Sequence, residues 1–142
     1  MKLHQVSESC FAVLNERNRL CDANSGLVNR GGGVVIDTQA DLAHTRRMMA
    51  LFGSVLRDIP KRVINTSEGG DHVLGNQLFA GGEIIAHRTV PDRMKQVAGP
   101  LQYEKLCDDV NGLVSRLMLG AVRPGALAIG RQLQQDYDFD GI

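Results

Sequence analysis

Three glycines run directly into three β-branched residues, Gly31-Gly32-Gly33-Val34-Val35-Ile36, and this stretch constrains the fold more than any other. Glycine alone enters left-handed backbone without steric cost, so the triplet reads as a tight turn. Val-Val-Ile is stiff at χ1 and suits a short, buried, pleated strand. The apolar segment "SGLVNR" lies just before the glycines, and "CFAVLNE" precedes it across the polar "RNRLCDAN". Together they predict a hairpin or meander. At Thr38 the period changes. Thr38 and Asp41 fit a capping box, and Leu42, Met48, Met49, Phe52, Val55 and Leu56 recur at helical spacing to about Arg57, with Pro60 closing the segment. "KRVINTS" and "GEIIAH" read as two further strands. After Pro91 the chain is expected to be helical, with an apolar stripe at Leu106, Val110, Leu113, Val114 and Leu117 and a shorter helix from Ala126 to Gln135 beyond Arg123-Pro124-Gly125. Strands, a helix, strands and then helices make an α/β protein, expected to be one domain over 1–142.

Composition removes several function classes. Sixteen basic residues balance sixteen acidic ones, and aromatics are 4% of the chain, so a basic nucleic-acid surface with stacking rings is not expected. No apolar run nears the ~20 residues of a membrane span, and the N-terminus lacks the apolar core of a secretion signal; a cytoplasmic protein is the expectation. Cys10, Cys21 and Cys107 form no close-spaced pair and read as reduced, partly buried thiols.

The stretch "NTSEGGDHVLGN", residues 65–76, carries the candidate chemistry. Asp71 and His72 follow a strand and two glycines, where the backbone is free to wrap a ligand. A carboxylate and an imidazole suit zinc, iron or manganese. Two donors are too few for a catalytic zinc, which takes three from protein. Glu68, or His87 at the end of the next strand, is the candidate third. The same residues also suit an ordinary polar turn whose histidine is held by hydrogen bonds, and the spacing alone leaves both readings open.

From Asn24 to His87 the sequence resembles the N-terminal half of metallo-β-lactamase-fold hydrolases. The resemblance rests on "NSG", a glycine turn, "VVIDT", a helix, and a strand leading into Thr66, Asp71, His72 and Gly75-Asn76 in the order of the family's Thr-His-x-His-x-Asp-His…Gly-Asn motif. It implies half of an αββα sandwich, that is, one mixed β-sheet with helices on its outer face. The motif's first two histidines fall on Ser67 and Gly69, so the first metal position is expected to be lost and a dinuclear centre is not expected. The second-site pair is kept. Asp71 and His72 are the implied ligands of one divalent metal (zinc, or iron or manganese), and Asp71 also handles protons. Glu68 would line the vacated first position as a general base, or else be a solvated carboxylate. Asp37 would buttress the loop from behind.

Family members continue into a second αβ half that supplies further ligands, and the tail "DYDFDGI" resembles its beginning. The resemblance therefore implies a subunit of a divergent enzyme acting on a small molecule, by hydrolysis or by a lyase or isomerase step. Its site would be completed by a second polypeptide carrying the C-terminal half, or by another copy of this chain; a fragment or relic is the third option. The alternative is a non-catalytic scaffolding subunit that has lost its metal. Asn24 and Thr66 are expected to bond backbone in turns, His44 to be solvated, and Met48 and Met49 to face the core.

Overall fold

The computed structural model describes residues 1–16 and 23–97. The helices expected at 106–117 and 126–135, the acidic tail, Cys21 and Cys107 lie outside the described residues.

Among the described residues six strands form one sheet in chain order. They are β1 (Lys2–Gln5), β2 (Cys10–Leu14), β3 (Ser25–Val28), β4 (Val34–Ile36), β5 (Arg62–Asn65) and β6 (Glu83–Ala86). The first four pair antiparallel as a meander, and β5 and β6 then add parallel to β4. The change of direction needs a crossover, because a parallel neighbour cannot be reached by a tight turn. Helix α1 (Leu42–Phe52) supplies it. This is the mixed α/β sheet that the sequence predicts. Strand β1 is an addition, since its "KLHQ" carries no alternating pattern that would announce it.

Pairing Phe11 with Leu27, Leu27 with Val35, Val35 with Val63 and Val63 with Ile84 puts these residues in one row on one face. Leu27, Val35 and Val63 are fully buried there with Val13, Met48, Phe52 and Phe79. Helix α1 meets this face with Leu42, Thr45, Met48 and Phe52, a stripe at the three-and-four spacing of one helix side. Met48 is fully buried and Met49 packs against the cluster, as the periodicity predicts. The helix stops at Phe52, short of the expected Arg57, and Val55 and Leu56 pack against the core from the following turns.

The capping expectation needs correction. Asp41, not Thr38, is the N-cap of α1, accepting the His44 backbone N–H at 2.7 Å in extended backbone. A carboxylate immediately before the first helical residue reaches the exposed amides, whereas Thr38 lies three residues further out. His44 is not simply solvated: its Nδ1 lies 2.7 Å from the second Asp41 oxygen. Burial alone would push the Asp41 carboxyl up. The His44 ring, its backbone N–H and its charge, with the Ala43 amide, outweigh this and hold it below the usual carboxylate range.

The loop between β5 and β6 is more ordered than expected. It forms a short helix α2 (Gly70–Val73) continued by a 3₁₀ segment (Leu74–Phe79). That segment packs on α1 so closely that Gly75 has no room for a side chain. A Cβ there would sit 2.1 Å from Thr45 Oγ1 and 2.8 Å from Thr38 Cβ, both in fully buried residues.

Two outcomes test this packing. Gly75→Ala is expected to destabilise the fold by about 1–3 kcal/mol through overpacking, read as a lower denaturation midpoint. Asp41→Ala should cost about 1 kcal/mol of cap energy. Because the Asp41 carboxyl is depressed in the folded state, its ionic contribution is complete above its ordinary value. That contribution disappears as pH falls through the depressed one. The stability gap between the parent and Asp41→Asn should therefore shrink below about pH 4, measured by urea unfolding across pH.

Candidate functional site at the ends of the parallel strands

Strands β4 and β5 both end at the same edge of the sheet, and the chain beyond each end builds the site. Open α/β sheets bind ligands beyond the carboxyl ends of their parallel strands, and β4 and β5 are such a parallel pair.

Asp37 follows β4 directly and is the one non-glycine residue among those described with positive φ, at 58°. A left-handed aspartate is uncommon and is kept only where its surroundings demand it. Its surroundings do. Its N–H donates to Ile64 O at 2.8 Å, and its buried carboxylate accepts from the Thr66 N–H at 2.7 Å and the Thr66 hydroxyl at 2.5 Å. Thr66 thus bonds a carboxylate rather than the backbone expected of it. Asn24 does bond backbone, accepting from the Asn15 N–H at 2.9 Å.

Thr38, freed from capping, grips the loop. Its backbone N–H and its hydroxyl both reach the carbonyl of His72, at 2.8 and 2.9 Å, and the Asn65 amide reaches it at 3.0 Å. The Gly75 N–H donates back to the Thr38 hydroxyl at 3.1 Å. Asn65 and Asn76 exchange bonds between their side-chain amides at 2.8 and 3.3 Å. Ser25, Asp37, Thr38, Gln39 and Asn65 are all buried, so a polar layer lies beneath the loop with its bonds supplied internally.

This layer fixes where the imidazole of His72 can point. Its Nδ1 is buried 3.0 Å from Asp37 Oδ2, a close approach outside hydrogen-bond alignment. Its Nε2 faces Asp71 Oδ2 at 3.6 Å, and both side chains are about a third exposed. The structure thus brings Asp71 and His72 together. Glu68 turns to α3 (Val90–Val97), where Arg93 Nη1 donates to its Oε1 at 3.2 Å. The Glu68 carboxyl lies below the usual range, first because of its own backbone N–H and then because of Arg93. His87 is exposed, with Nδ1 2.9 Å from the Thr89 hydroxyl. Among the described residues no third histidine, cysteine or carboxylate joins Asp71 and His72 in a metal-sized group.

At the first-metal positions of the resemblance, the Ser67 hydroxyl accepts the Gly69 N–H at 3.0 Å. A Cβ on Gly69 would meet Asp71 Oδ1 at 2.9 Å. The donor set fits half of a metal site: a carboxylate oxygen and an imidazole nitrogen converge, one donor short of the usual three. The sequence had no signal for Arg93 as the partner of Glu68, or for Thr38 as the clamp on His72, because both contacts join residues far apart in the chain.

No family model matches the sequence, and no curated protein matches it. Solved structures do match the fold. TMB-1, described with the role of its residues 119 and 228 in substrate and inhibitor binding, superposes with a TM-score of 0.54 at 19% identity, over 67% of this chain and 46% of that one. A metallo-β-lactamase from Hirschia baltica gives 0.51 at 18% identity, over 63% and 44%. DIM-1 metallo-β-lactamase exposed to ceftazidime gives 0.50 at 14% identity, over 67% and 46%. The matched region spans less than half the length of these enzymes. Among the described residues no helix is long and apolar enough to cross a membrane. The mixed sheet, its crossover helix and the loop beyond β5 together have the fold of the metallo-β-lactamases, over the part of that fold this chain spans.

Proposed function

We propose that this chain is the N-terminal half-domain of a metallo-β-lactamase-like enzyme acting on a small molecule. In this reading its loop contributes Asp71 and His72 to one divalent metal, zinc or else iron or manganese. The remaining donors come from the C-terminal half of the fold, carried by a second polypeptide. One observation carries the proposal: Asp71 Oδ2 and His72 Nε2 lie 3.6 Å apart, while His72 Nδ1 is turned toward the buried Asp37 carboxylate. A carboxylate behind a ligating imidazole keeps the proton on the far nitrogen and leaves the near one free to bind a metal. A turn held merely for its own sake has no need of a strained aspartate behind its histidine.

A metal bound there would supply a Lewis acid and a more acidic water. The chain's own residues do the rest. Asp37 orients the His72 ring, Thr38 and Asn65 hold its backbone, and Asp71 presents an oxygen able to accept a proton. Glu68 is deprotonated at neutral pH and sits at the rim as the second proton acceptor; its bond to Arg93 must open before it takes a proton. The scaffolding alternative draws on the donor shortfall and on the Glu68–Arg93 pair, which together describe a loop at rest.

Metal binding separates the two readings without an activity assay. Cobalt(II) added to the full chain should give paramagnetic shifts centred on the amides of Asp71 and His72. Asp71→Ala and His72→Ala should each weaken binding by ~10-fold or more, and Asp37→Asn by ~10–100-fold, in line with loss of a supporting carboxylate. Binding insensitive to all three would leave the scaffolding reading. Native mass spectrometry of the purified protein tests the second polypeptide. In the assembled enzyme, Glu68→Gln should lower kcat by ~10²–10⁴-fold if it is the base.

A further inference from the structure

A second polar concavity lies at the opposite end of the sheet, where β4 and β5 begin. It is an open cleft of about 730 Å³. One wall is the turn Gly31-Gly32-Gly33, and the others bring in Arg57, Lys61 and Arg62. Parallel strands place it at the entry ends of β4 and β5, a strand's length from Asp71 and His72.

We propose that this cleft binds a small organic phosphate. The proposal does not depend on the metal reading above. Three observations carry it. The three glycines all have positive φ, at 59, 88 and 83°. Gly33 donates its N–H to Arg30 O, whereas the N–H groups of Gly31 and Gly32 have no acceptor among the described residues. Successive backbone N–H groups in such a turn form a concavity that suits an anion. The reason for glycine at 31 and 32 is conformational and not steric, since a Cβ at either would meet nothing within 4 Å.

The charges point the same way. Among the described residues Arg57 and Lys61 have no ion-pair partner, while Arg62 is loosely paired with Glu83 at 3.7 Å. Asp58 is the one carboxylate in the lining, so three cations face one anion. An arginine fork beside free amides matches the oxygens of a phosphate.

The organic part has its own place. A smaller hollow of about 160 Å³ adjoins the cleft, sharing Ile59 and Lys61, and is lined further by Pro60, Leu78, Phe79 and Ala80. Ile59 is 74% exposed at the junction, so its side chain is open to an apolar group held there. Anion and apolar group would thus lie side by side, bridged by Lys61.

Amide-resolved NMR titration of the full chain tests this with phenyl phosphate, inorganic phosphate and benzoate as probes. Phenyl phosphate is expected to shift Gly31, Gly32 and Lys61 saturably, and to bind roughly tenfold more tightly than inorganic phosphate. The double variant Arg57→Ser/Lys61→Ser, both at exposed positions, should weaken it by roughly tenfold or more with the rest of the spectrum unchanged. Ile59→Ser should abolish the preference for phenyl phosphate over inorganic phosphate. Shifts that stay linear with concentration, that centre on other residues, or that persist in the double variant would overturn the proposal. Equal binding of benzoate would overturn the phosphate assignment.

Discussion

The carbonyl of His72 is the point on which the site end of the molecule depends. Three donors converge on it, two from Thr38 and one from Asn65, so the ends of β4 and β5 are tied to the same atom of the loop. Each bond contributes ~1 kcal/mol net, yet leaving such a buried group unmade costs more than making it gains. The loop therefore has few alternatives to its observed path. Asp37 adds the second anchor through Thr66, and its left-handed backbone lets one residue both leave the strand and face the loop.

The sheet beneath is asymmetric. One face is sealed by α1, Phe52, Met48 and Phe79. The other carries the row His4, Ala12, Gly26, Ile36, Ile64 and Ile85, set by the strand register. Ala12, Gly26, Ile36 and Ile64 are half-buried along it, and Ile85 at the β6 edge is 42% exposed. An apolar second face is what a half-sandwich needs in order to meet another sheet. The similar solved enzymes are more than twice as long as the part matched here.

Much of the strand and helix order was legible because it rests on local chemistry. Val34–Ile36 is β-branched, and Leu42, Met48 and Phe52 keep the helical period. The strands at 62–65 and 83–86 are bounded by proline, glycine or polar residues. Strand β1 was not legible, since pairing with β2 and not its own pattern makes it a strand. Thr38 misled because threonine caps helices and also clamps loops; which it does depends on residues 34 positions away. Asp71 and His72 were visible as adjacent donors. Their relation to Asp37, and the departure of Glu68 toward Arg93, are set by tertiary contacts that no spacing encodes.

The order of the strands has a consequence for how the molecule is made. Each strand of the sheet neighbours the one synthesised just before it. A ribosome releasing the chain from its N-terminus can thus deliver every strand to an edge that already exists, without waiting for a distant partner. Loop-closure entropy is met in small instalments along the meander, and the parallel crossovers through α1 and through the α2 loop demand the longer closures. The nascent chain always presents one growing edge, and after residue 86 that edge is β6 with its two isoleucines. Among the described strands it is the last to be added and is open to whatever sheet or chaperone meets the emerging protein.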